Sequence, residues 1–405
     1  MSDFAGHIPG SREYRRLLAG LFFAGVATFA QLYAPQAVLP LIAAELAVTP
    51  AVSALAVSAS TLGLAVSVLF WSVAADRVGR VPVMTAGVVA ATLLGAVAVV
   101  APDMSLLLAV RFAEGVALGA VPAVALAYLS EEISPRHVAA AAGSYIAGTT
   151  VGGLSGRIVS GPVGDLFGWR AGVAAAIALC AVAAVLFIVL VPRARGFTAR
   201  RSRALADRGP GILARLLVNV RSPVQLALYA QGFLLMGAFV AVYNYLGFHL
   251  GAPPFLLAPG VVTLLFLAYL AGTVSSPRAG ALAGRHGRFP VLVASIVVTI
   301  GGAAVMTVPN VVVILGGLLV FTAGFFAAHA VASGWTPVAA VPEARAQASS
   351  LYYLGYYAGS SVFGWVLGVV FGAFGWMPFL LAVVAMCLTA LLLAALVLRP
   401  RTAAR

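Results

Sequence analysis

The sequence predicts an all-α polytopic membrane protein with twelve transmembrane helices. Of its 405 residues, 62% are hydrophobic and only 9% are charged, whereas charged residues make up about 25% of an ordinary soluble domain. Apolar runs long enough to cross a hydrocarbon core of ~30 Å recur along the whole chain. A soluble globular protein is therefore excluded.

The apolar runs set the positions of the twelve predicted spans. Each run ends where charged residues, Pro or Gly cluster, because an unpaired charge is costly inside the hydrocarbon core. In chain order, the predicted spans are 17–40, 51–75, 82–101, 105–129, 138–161, 171–192, 223–248, 256–277, 290–308, 311–336, 346–371 and 377–398.

The arginines predict the orientation of these spans. The chain has 24 basic residues, all of them Arg, and all but Arg111, Arg157 and Arg170 fall at the termini or in alternate loops. This positive-inside bias predicts that both termini are cytoplasmic. We expect the protein to lie in the cytoplasmic (inner) membrane. Topology thus explains the net charge of +13, and no nucleic-acid partner is expected. The absence of Lys also excludes a P-loop.

The longest segment between spans divides six of them from the other six. Residues 193–222 contain eight Arg against the single acidic residue Asp207, and they are predicted to be non-helical. We interpret them as a solvated cytoplasmic linker against anionic lipid headgroups, with a regulatory partner site as the alternative. The predicted domains are an N-terminal bundle (1–192), the Arg-rich linker (193–222) and a C-terminal bundle (223–405).

An internal repeat relates the two bundles. A short charged turn follows the second span, and a second copy of it at residues 283–291 follows the eighth. Further matches lie 207 residues apart: Tyr145 and Tyr352, Gly148 and Gly355, Gly152 and Gly359, Gly168-Trp169 and Gly375-Trp376. Parallel six-helix repeats are typical of transporters whose substrate site lies near the bilayer midplane.

Three motifs carry a resemblance to a known family. They are Ala75-Asp76-Arg77-Val78-Gly79-Arg80 after the second span, Arg111-Phe112-Ala113-Glu114-Gly115 in the fourth, and Gly148-Thr149-Thr150-Val151-Gly152-Gly153-Leu154-Ser155-Gly156-Arg157 in the fifth. On these motifs the chain resembles, over essentially its whole length, the major facilitator superfamily. Within it, the chain is similar to the twelve-helix drug:proton antiporters, close to the YnfM-like bacterial permeases.

The resemblance implies the major facilitator fold, with two pseudo-symmetric six-helix bundles, and a secondary transporter that works by alternating access. We expect export of a small organic solute in exchange for protons, driven by the proton gradient, with no cofactor and a monomeric state. A proton-coupled importer of a small metabolite and a lipid translocator are the alternatives. The sequence has no His-Glu-x-x-His motif and no pair of membrane aspartates. No catalytic residue, metal site or enzyme activity is therefore predicted.

Arg111 and Glu114 are candidates for proton coupling. Their i, i+3 spacing puts them on one helix face, and Glu114 lies about ten residues into its span, ~15 Å deep. A permanent buried ion pair is the structural explanation. Alternatively, Glu114 is ionised beside Arg111 and takes up a proton when the two separate, as proton coupling requires. The resemblance associates the matching Arg with proton translocation.

His329 in the tenth span is the third candidate for proton coupling, because a His changes charge near neutral pH. Its alternative role is that of a hydrogen-bonded structural residue. Arg157 lies near the outer end of the fifth predicted span, and it is expected to extend toward the membrane surface, with a functional role as the alternative.

Polar residues indicate which spans line an interior cavity. Spans three, six, nine and twelve contain no charged side chain, whereas spans one, four, seven, ten and eleven carry most polar groups. Lipid cannot satisfy such groups, so the polar spans should face the interior. The predicted substrate-cavity residues are Gln31, Gln36, Tyr145, Gln231, Asn244, Tyr352, Tyr353, Tyr356 and Tyr357. The tyrosine rings suit an amphipathic organic ligand, and ordinary packing explains them equally well.

The charged turn after the second span is the predicted cytoplasmic gate. The resemblance implies that the Asp76 carboxylate faces the N-terminus of the eleventh helix, where the helix dipole favours negative charge. Arg80, with Glu131 or Glu132 after the fourth span, would complete this clasp. The predicted gate residues are Asp76, Arg77, Gly79, Arg80, Glu131 and Glu132.

Overall fold

The computed structural model describes residue 4, residues 6–196 and residues 211–399. Twelve long helical segments follow one another along these residues. In chain order they are α1 (Arg12–Glu45), α2 (Pro50–Val78), α3 (Arg80–Val99), α4 (Met104–Glu132), α5 (Val138–Phe167), α6 (Trp169–Leu190), α7 (Pro223–Gly251), α8 (Pro259–His286), α9 (Arg288–Val305), α10 (Val311–Ala339), α11 (Pro342–Phe374) and α12 (Trp376–Leu398).

Eleven of the twelve segments in the described part of the chain are long and apolar enough to cross a membrane. The remaining one, α5, is 30 residues long, but its many Gly, Ser and Thr residues lower its mean hydropathy. The predicted fold class, an all-α polytopic membrane protein, is confirmed. Most helices extend beyond the predicted spans, because their polar ends continue the helix past the hydrocarbon core into the headgroup layer.

Two of the described segments contain a 3-10 stretch with α-helix on both sides of it. α1 passes through a 3-10 stretch at Ala34–Val38, which contains Pro35. α8 has a similar 3-10 stretch at Thr263–Tyr269. Such breaks release backbone carbonyls from the regular α-helical pattern, and these carbonyls must find other donors because lipid provides none.

The predicted non-helical linker contains a helix. Residues Ile212–Val220 are helical, so the expectation of a wholly non-helical segment at 193–222 is wrong. Leucines and valines recur on one side of this short helix, and buried Asn219 donates a hydrogen bond to the carbonyl of Ala344 at 3.0 Å. Tertiary contacts thereby stabilise a helix that the dense arginines concealed. Residues 197–210, with much of the predicted Arg-rich segment, lie outside the described residues.

Packing divides the chain into two units. Unit 1 comprises Met1–Val48, Ala59–Arg208 and Ala258–Thr263, and unit 2 comprises Thr49–Ser58, Gly209–Leu257 and Leu264–Arg405. In unit 1, α1 packs along α5, and in unit 2, α7 packs along α11. The first residues of α2 thus belong to unit 2, and the first residues of α8 belong to unit 1. The predicted bundles 1–192 and 223–405 contain each of these helices whole.

Glycine turns of the same geometry occur in both units. Gly79 and Gly168 each separate two helices of unit 1 by one residue, with φ values of 111° and 85°. Gly287 and Gly375 do the same in unit 2, with φ values of 89° and 80°. With ψ near 180°, this backbone region is essentially restricted to Gly. The matched turns are the backbone counterpart of the sequence repeat.

Helix contacts repeat in the same register. A Cβ at Gly148 or Gly152 of α5 would collide with the backbone of α1, and a Cβ at Gly359 of α11 would collide with the carbonyl of Phe233 in α7. One layer is reversed between the units. Gly156 lies against the backbone of Ala30 in unit 1, whereas at the equivalent positions in unit 2 the ring of Phe363 lies against Gly237. Both units keep the close approach of the two helices. In the reversed layer, the glycine is on the second helix of the pair in unit 1 and on the first helix in unit 2.

We predict that Gly375→Ala destabilises the protein by about 1–2 kcal/mol, because an L-residue is strained at positive φ. An added Cβ would have open space around it, so backbone strain is the only cost. Gly372→Ala is the matched control, since its Cβ would also have open space, but Gly372 lies inside a helix, where Ala is favoured. Thermal unfolding of the purified variants measures the difference, and equal melting temperatures would contradict the prediction.

Candidate functional site

The ion pair predicted in α4 is formed and buried. Arg111 Nη1 lies 2.6 Å from Glu114 Oε2, and the two side chains are 2% and 0% exposed. Gly115 lets α2 approach this face closely, because an added Cβ would collide with the carbonyl of Ser60. The hydroxyl of Ser60 in turn donates to the carbonyl of Arg111 at 2.7 Å. The pair is therefore enclosed by protein.

Arg111 also binds two backbone carbonyls of α1. It donates to the oxygen of Leu32 at 2.8 Å and to that of Gln31 at 3.3 Å. In a regular α-helix the Gln31 carbonyl would accept from residue 35, but Pro35 has no N–H group. The 3-10 stretch that follows Tyr33 likewise changes the hydrogen-bond pattern at this point. The break in α1 thus creates acceptors for the guanidinium of α4.

The second oxygen of Glu114 is less well satisfied than the first. Oε1 is buried without a hydrogen bond of normal geometry among the described residues, although the Gln31 amide lies beside the carboxylate. Gln31 Nε2 instead donates to the carbonyl of Ala91 in α3. The thiol of Cys180 in α6 also lies near this group. Oε1 is consequently the position at which a proton would add to the carboxylate.

Arg157 lies in a second buried polar cluster of unit 1. It is 1% exposed, it donates to Gln36 Oε1 at 2.7 Å and to the carbonyl of Gly153 at 2.6 Å, and its guanidinium lies 4.4 Å from the ring centroid of Tyr33. The expectation that Arg157 extends to the membrane surface is wrong. α5 continues to Phe167 rather than ending at residue 161, so Arg157 lies well inside the helix, where it binds internal partners instead.

At the arginine-rich end of unit 1, Arg80 joins two carboxylates. It contacts Asp76 Oδ1 and Glu131 Oε1 at 2.7 Å each. Gly79 provides the positive-φ turn between Asp76 and Arg80, and Arg77 is exposed. The sequence left open whether Glu131 or Glu132 pairs with Arg80, and the contact is made by Glu131.

Glu132 instead binds two other segments. Its Oε1 accepts hydrogen bonds from the backbone N–H groups of Arg195 and Gly196, both at 2.6 Å. Its Oε2 lies 3.8 Å from His7 Nε2, and its carbonyl accepts from the N–H of His7 at 2.7 Å. Glu132 is fully buried. It therefore fastens the segment before α1 and the segment after α6 to the end of α4.

His329 lies in unit 2, so it is not part of the Arg111–Glu114 cluster. Its Nδ1 is 3.0 Å from the hydroxyl of Tyr352, and its ring contacts those of Phe325, Tyr353 and Tyr356. The predicted tyrosines of α11 and the predicted histidine of α10 thus form one aromatic cluster.

Most of the other predicted cavity residues are buried. Gln231 donates to the carbonyl of Ala390 in α12 at 2.9 Å. Of the nine predicted cavity residues, only Tyr353 and Tyr356 are not buried; the buried ones are Gln31, Gln36, Tyr145, Gln231, Asn244, Tyr352 and Tyr357. That these residues line a substrate cavity stays a prediction. No group of three His, Cys, Asp or Glu side chains in the described ranges is arranged to hold a metal ion.

The sequence model of the Major Facilitator Superfamily matches residues 21–327 of the chain. The chain belongs to this superfamily. It is 39% identical to the inner membrane transport protein YnfM of Escherichia coli (strain K12), over 91% of this chain and 87% of YnfM. It is 36% identical to the uncharacterized MFS-type transporter YybF of Bacillus subtilis (strain 168), over 94% of this chain and 93% of YybF.

Two solved structures show that this major facilitator fold is shared at low sequence identity. A bacterial homologue of the human lysosomal transporter Spinster aligns with a TM-score of 0.77 at 14% identity, over 96% of this chain and 98% of that one. The nucleoside transporter NupG aligns with a TM-score of 0.75 at 15% identity, over 94% and 99%. The resemblance drawn from the motifs is confirmed, and the chain is a multi-pass integral membrane transporter of this superfamily.

Sequence reasoning missed how Arg111 and Arg157 are anchored in this transporter. Both bind groups at or next to the break in α1, either carbonyls or the side chains of Tyr33 and Gln36. The sequence signal was Pro35, which lies inside an apolar run and removes a backbone donor.

We predict that Arg111→Leu destabilises the protein by about 3 kcal/mol or more, because it leaves the Glu114 carboxylate buried without its cation. Arg111→Leu combined with Glu114→Gln should recover part of this loss, since the uncompensated charge is then gone. Thermal unfolding of the two single variants and the double variant provides the cycle. Strictly additive losses would mean that the two side chains do not stabilise each other.

We predict that Glu132→Ala is more destabilising than Glu131→Ala, by about 1–2 kcal/mol, because it removes a fully buried carboxylate and leaves two partly buried backbone N–H groups without their acceptor. Glu131→Ala removes a partly exposed ion pair, and such pairs contribute little. Each of the two neighbouring glutamates serves as the control for the other. The melting temperatures of the two variants show which one is less stable. A more stable Glu132→Ala would contradict the role assigned to Glu132.

Proposed function

We propose that this transporter exports a small organic solute across the cytoplasmic membrane in exchange for protons, with Glu114 as the proton carrier. The observation that carries the proposal is the buried Arg111–Glu114 pair. Among the described residues, Glu114 is the only Asp or Glu that lies more than two residues from the end of its helical segment. A carboxylate inside a membrane-spanning helix is energetically costly, so its presence indicates a functional role or a strong partner.

The anchoring of Arg111 gives the proton a mechanical consequence. When Glu114 is ionised, it attracts Arg111, which is also held by the carbonyls of Gln31 and Leu32 on α1. When Glu114 is protonated at Oε1, this attraction is largely lost, while the two carbonyl contacts remain. Protonation therefore weakens the attraction that Glu114 exerts on the Arg111 guanidinium, while the contacts of Arg111 with α1 remain. The packing of α4 against α1 can change as a result.

Export is supported by the motif resemblance to drug:proton antiporters and by one further relative. A stretch of 117 residues is 32% identical to the multi-drug resistance efflux pump PmrA of Streptococcus pneumoniae, covering 29% of each chain. The distribution of arginines supports cytoplasmic termini. A proton-coupled importer of a small metabolite would use the same pair, with solute and proton entering together.

We predict that Glu114→Gln abolishes the dependence of transport on the pH gradient in proteoliposomes, because the amide cannot exchange a proton. The solute for the assay is first found by thermal-shift screening of the purified protein against metabolites and drugs. Glu45→Gln is the matched control, since Glu45 is a half-exposed carboxylate at a helix end that pairs with Arg170 at 3.0 Å. Gradient-driven flux that persists unchanged in Glu114→Gln would remove the proposed role of Glu114.

A further inference from the structure

The imidazole of His329 is held by one nitrogen. Its Nδ1 lies 3.0 Å from the hydroxyl of Tyr352, which is 1% exposed and has no other hydrogen-bond partner among the described residues. A buried hydroxyl whose hydrogen is not donated carries a desolvation cost. The Tyr352 O–H therefore donates to Nδ1, which acts as the acceptor.

This contact sets the tautomer of His329. A neutral imidazole carries its hydrogen on one nitrogen only, so accepting at Nδ1 leaves the hydrogen on Nε2. Nε2 makes no hydrogen bond within the described part of the chain, and the His329 side chain is partly exposed. His329 consequently presents a fixed N–H donor whose acceptor must come from outside these residues.

Two tyrosine rings flank this donor. The ring of Tyr356 lies 4.7 Å from that of His329 at an interplanar angle of 41°. The ring of Tyr353 lies 6.1 Å from that of Tyr356 at 70° and 6.2 Å from that of His329 at 69°. Rings at such angles form two walls of a corner, in which a flat ring can stack on one wall and meet the other edge-on.

The corner does not face the outer apolar surface of unit 2. One stripe along α11 is formed by the exposed apolar residues Leu354, Val362, Trp365 and Val369. At about 100° per residue, Tyr353 lies about 140° from the centre of this stripe, yet it is 43% exposed. On α10, at the same 100° per residue, His329 lies about 140° from the stripe of exposed apolar residues that includes Val312, Leu319 and Val320. Their exposed surface is therefore separate from the surface that these helices offer to lipid.

The surroundings favour an uncharged ligand. α10 contains no Asp, Glu or Arg, and the charged residues of α11, Glu343 and Arg345, lie in its first turn. That turn is about two helical turns from Tyr352. A charged group in the corner would lose its hydration without gaining a counter-ion from either helix.

We propose that His329, Tyr353 and Tyr356 form the binding site of an uncharged aromatic solute that carries a hydrogen-bond acceptor, such as a carbonyl oxygen, next to its ring. The ring packs against the two tyrosines, and the acceptor receives the Nε2–H of His329. This inference rests on the proposed function, since it names the class of solute that the transporter carries. It assigns His329 to solute recognition rather than to proton coupling.

Three probes of similar size separate the two interactions. Acetophenone has both the aromatic ring and the carbonyl acceptor, ethylbenzene lacks the acceptor, and cyclohexyl methyl ketone lacks the aromatic ring. Binding of each is measured by saturation-transfer NMR with the full chain in liposomes, and the signal from protein-free liposomes of the same lipids is subtracted. Acetophenone is expected to bind about three- to tenfold more tightly than either of the others.

The variants assign each interaction to its residues. His329→Phe keeps a ring but loses the donor, so it should erase the preference for acetophenone over ethylbenzene. Tyr353→Leu should erase the preference for acetophenone over cyclohexyl methyl ketone. Tyr352→Phe is a milder test of the donor, because it frees the tautomer of His329 and should reduce the acceptor preference in part. Trp365→Leu is the matched control, because Trp365 is also 43% exposed but lies on the outer stripe.

The outcomes separate this site from the proposed proton coupling, because binding is measured without a pH gradient. The expected preferences, each lost in its own variant, support the site even if Glu114→Gln leaves gradient-driven transport unchanged. Equal binding of the three probes by the wild-type protein would overturn it. It would also be overturned if Trp365→Leu lost the same preferences as Tyr353→Leu. Benzoate, a charged aromatic probe measured in the same way, would overturn it by binding more tightly than acetophenone.

Discussion

The absence of water in the hydrocarbon core is the constraint on which this structure depends. Every buried donor, acceptor and charge must find its partner within the protein. The break in α1 at Pro35 shows how closely this is met, because the carbonyl that Pro35 leaves without a backbone donor accepts from Arg111 instead. The same guanidinium balances Glu114. Pro35, Arg111 and Glu114 therefore act together to connect α1 and α4, because the Arg111 guanidinium pairs both with the carbonyl that Pro35 leaves without a donor and with the Glu114 carboxylate.

The internal repeat has kept the backbone and changed the chemistry. Asp103 and Asn310, 207 residues apart, cap the N-termini of α4 and α10 in the same way. The glycine turns also recur. At the same separation, however, Leu318 and Phe321 replace Arg111 and Glu114, and both are fully buried. Unit 1 thus contains the buried charge, and unit 2 contains an uncharged leucine and phenylalanine at the corresponding positions.

Under the proposed exchange of solute for protons, this division separates two tasks that the transporter must combine. Protonation of a buried carboxylate depends on its partners, and α1 and α4 fix these partners in unit 1. Recognition of an organic solute needs flat apolar surfaces with a few directed polar groups, and the cluster around His329 has both. Within each unit, close glycine contacts between neighbouring helices leave the polar groups little room to rearrange independently of the helices.

The sequence by itself determined the class, the twelve segments and the ion pair, because hydropathy, arginine bias and i, i+3 spacing are local properties. It also determined the repeat, whose glycine turns follow from backbone conformations that only Gly adopts. Only the tertiary structure decided that Arg157 is buried, that Glu131 rather than Glu132 binds Arg80, and that residues Ile212–Val220 are helical. The hydrogen bond between His329 and Tyr352 was likewise visible only in the tertiary structure. Each of these depends on which distant groups meet a side chain, and the spacing of residues along one helix contains no information about a partner on another.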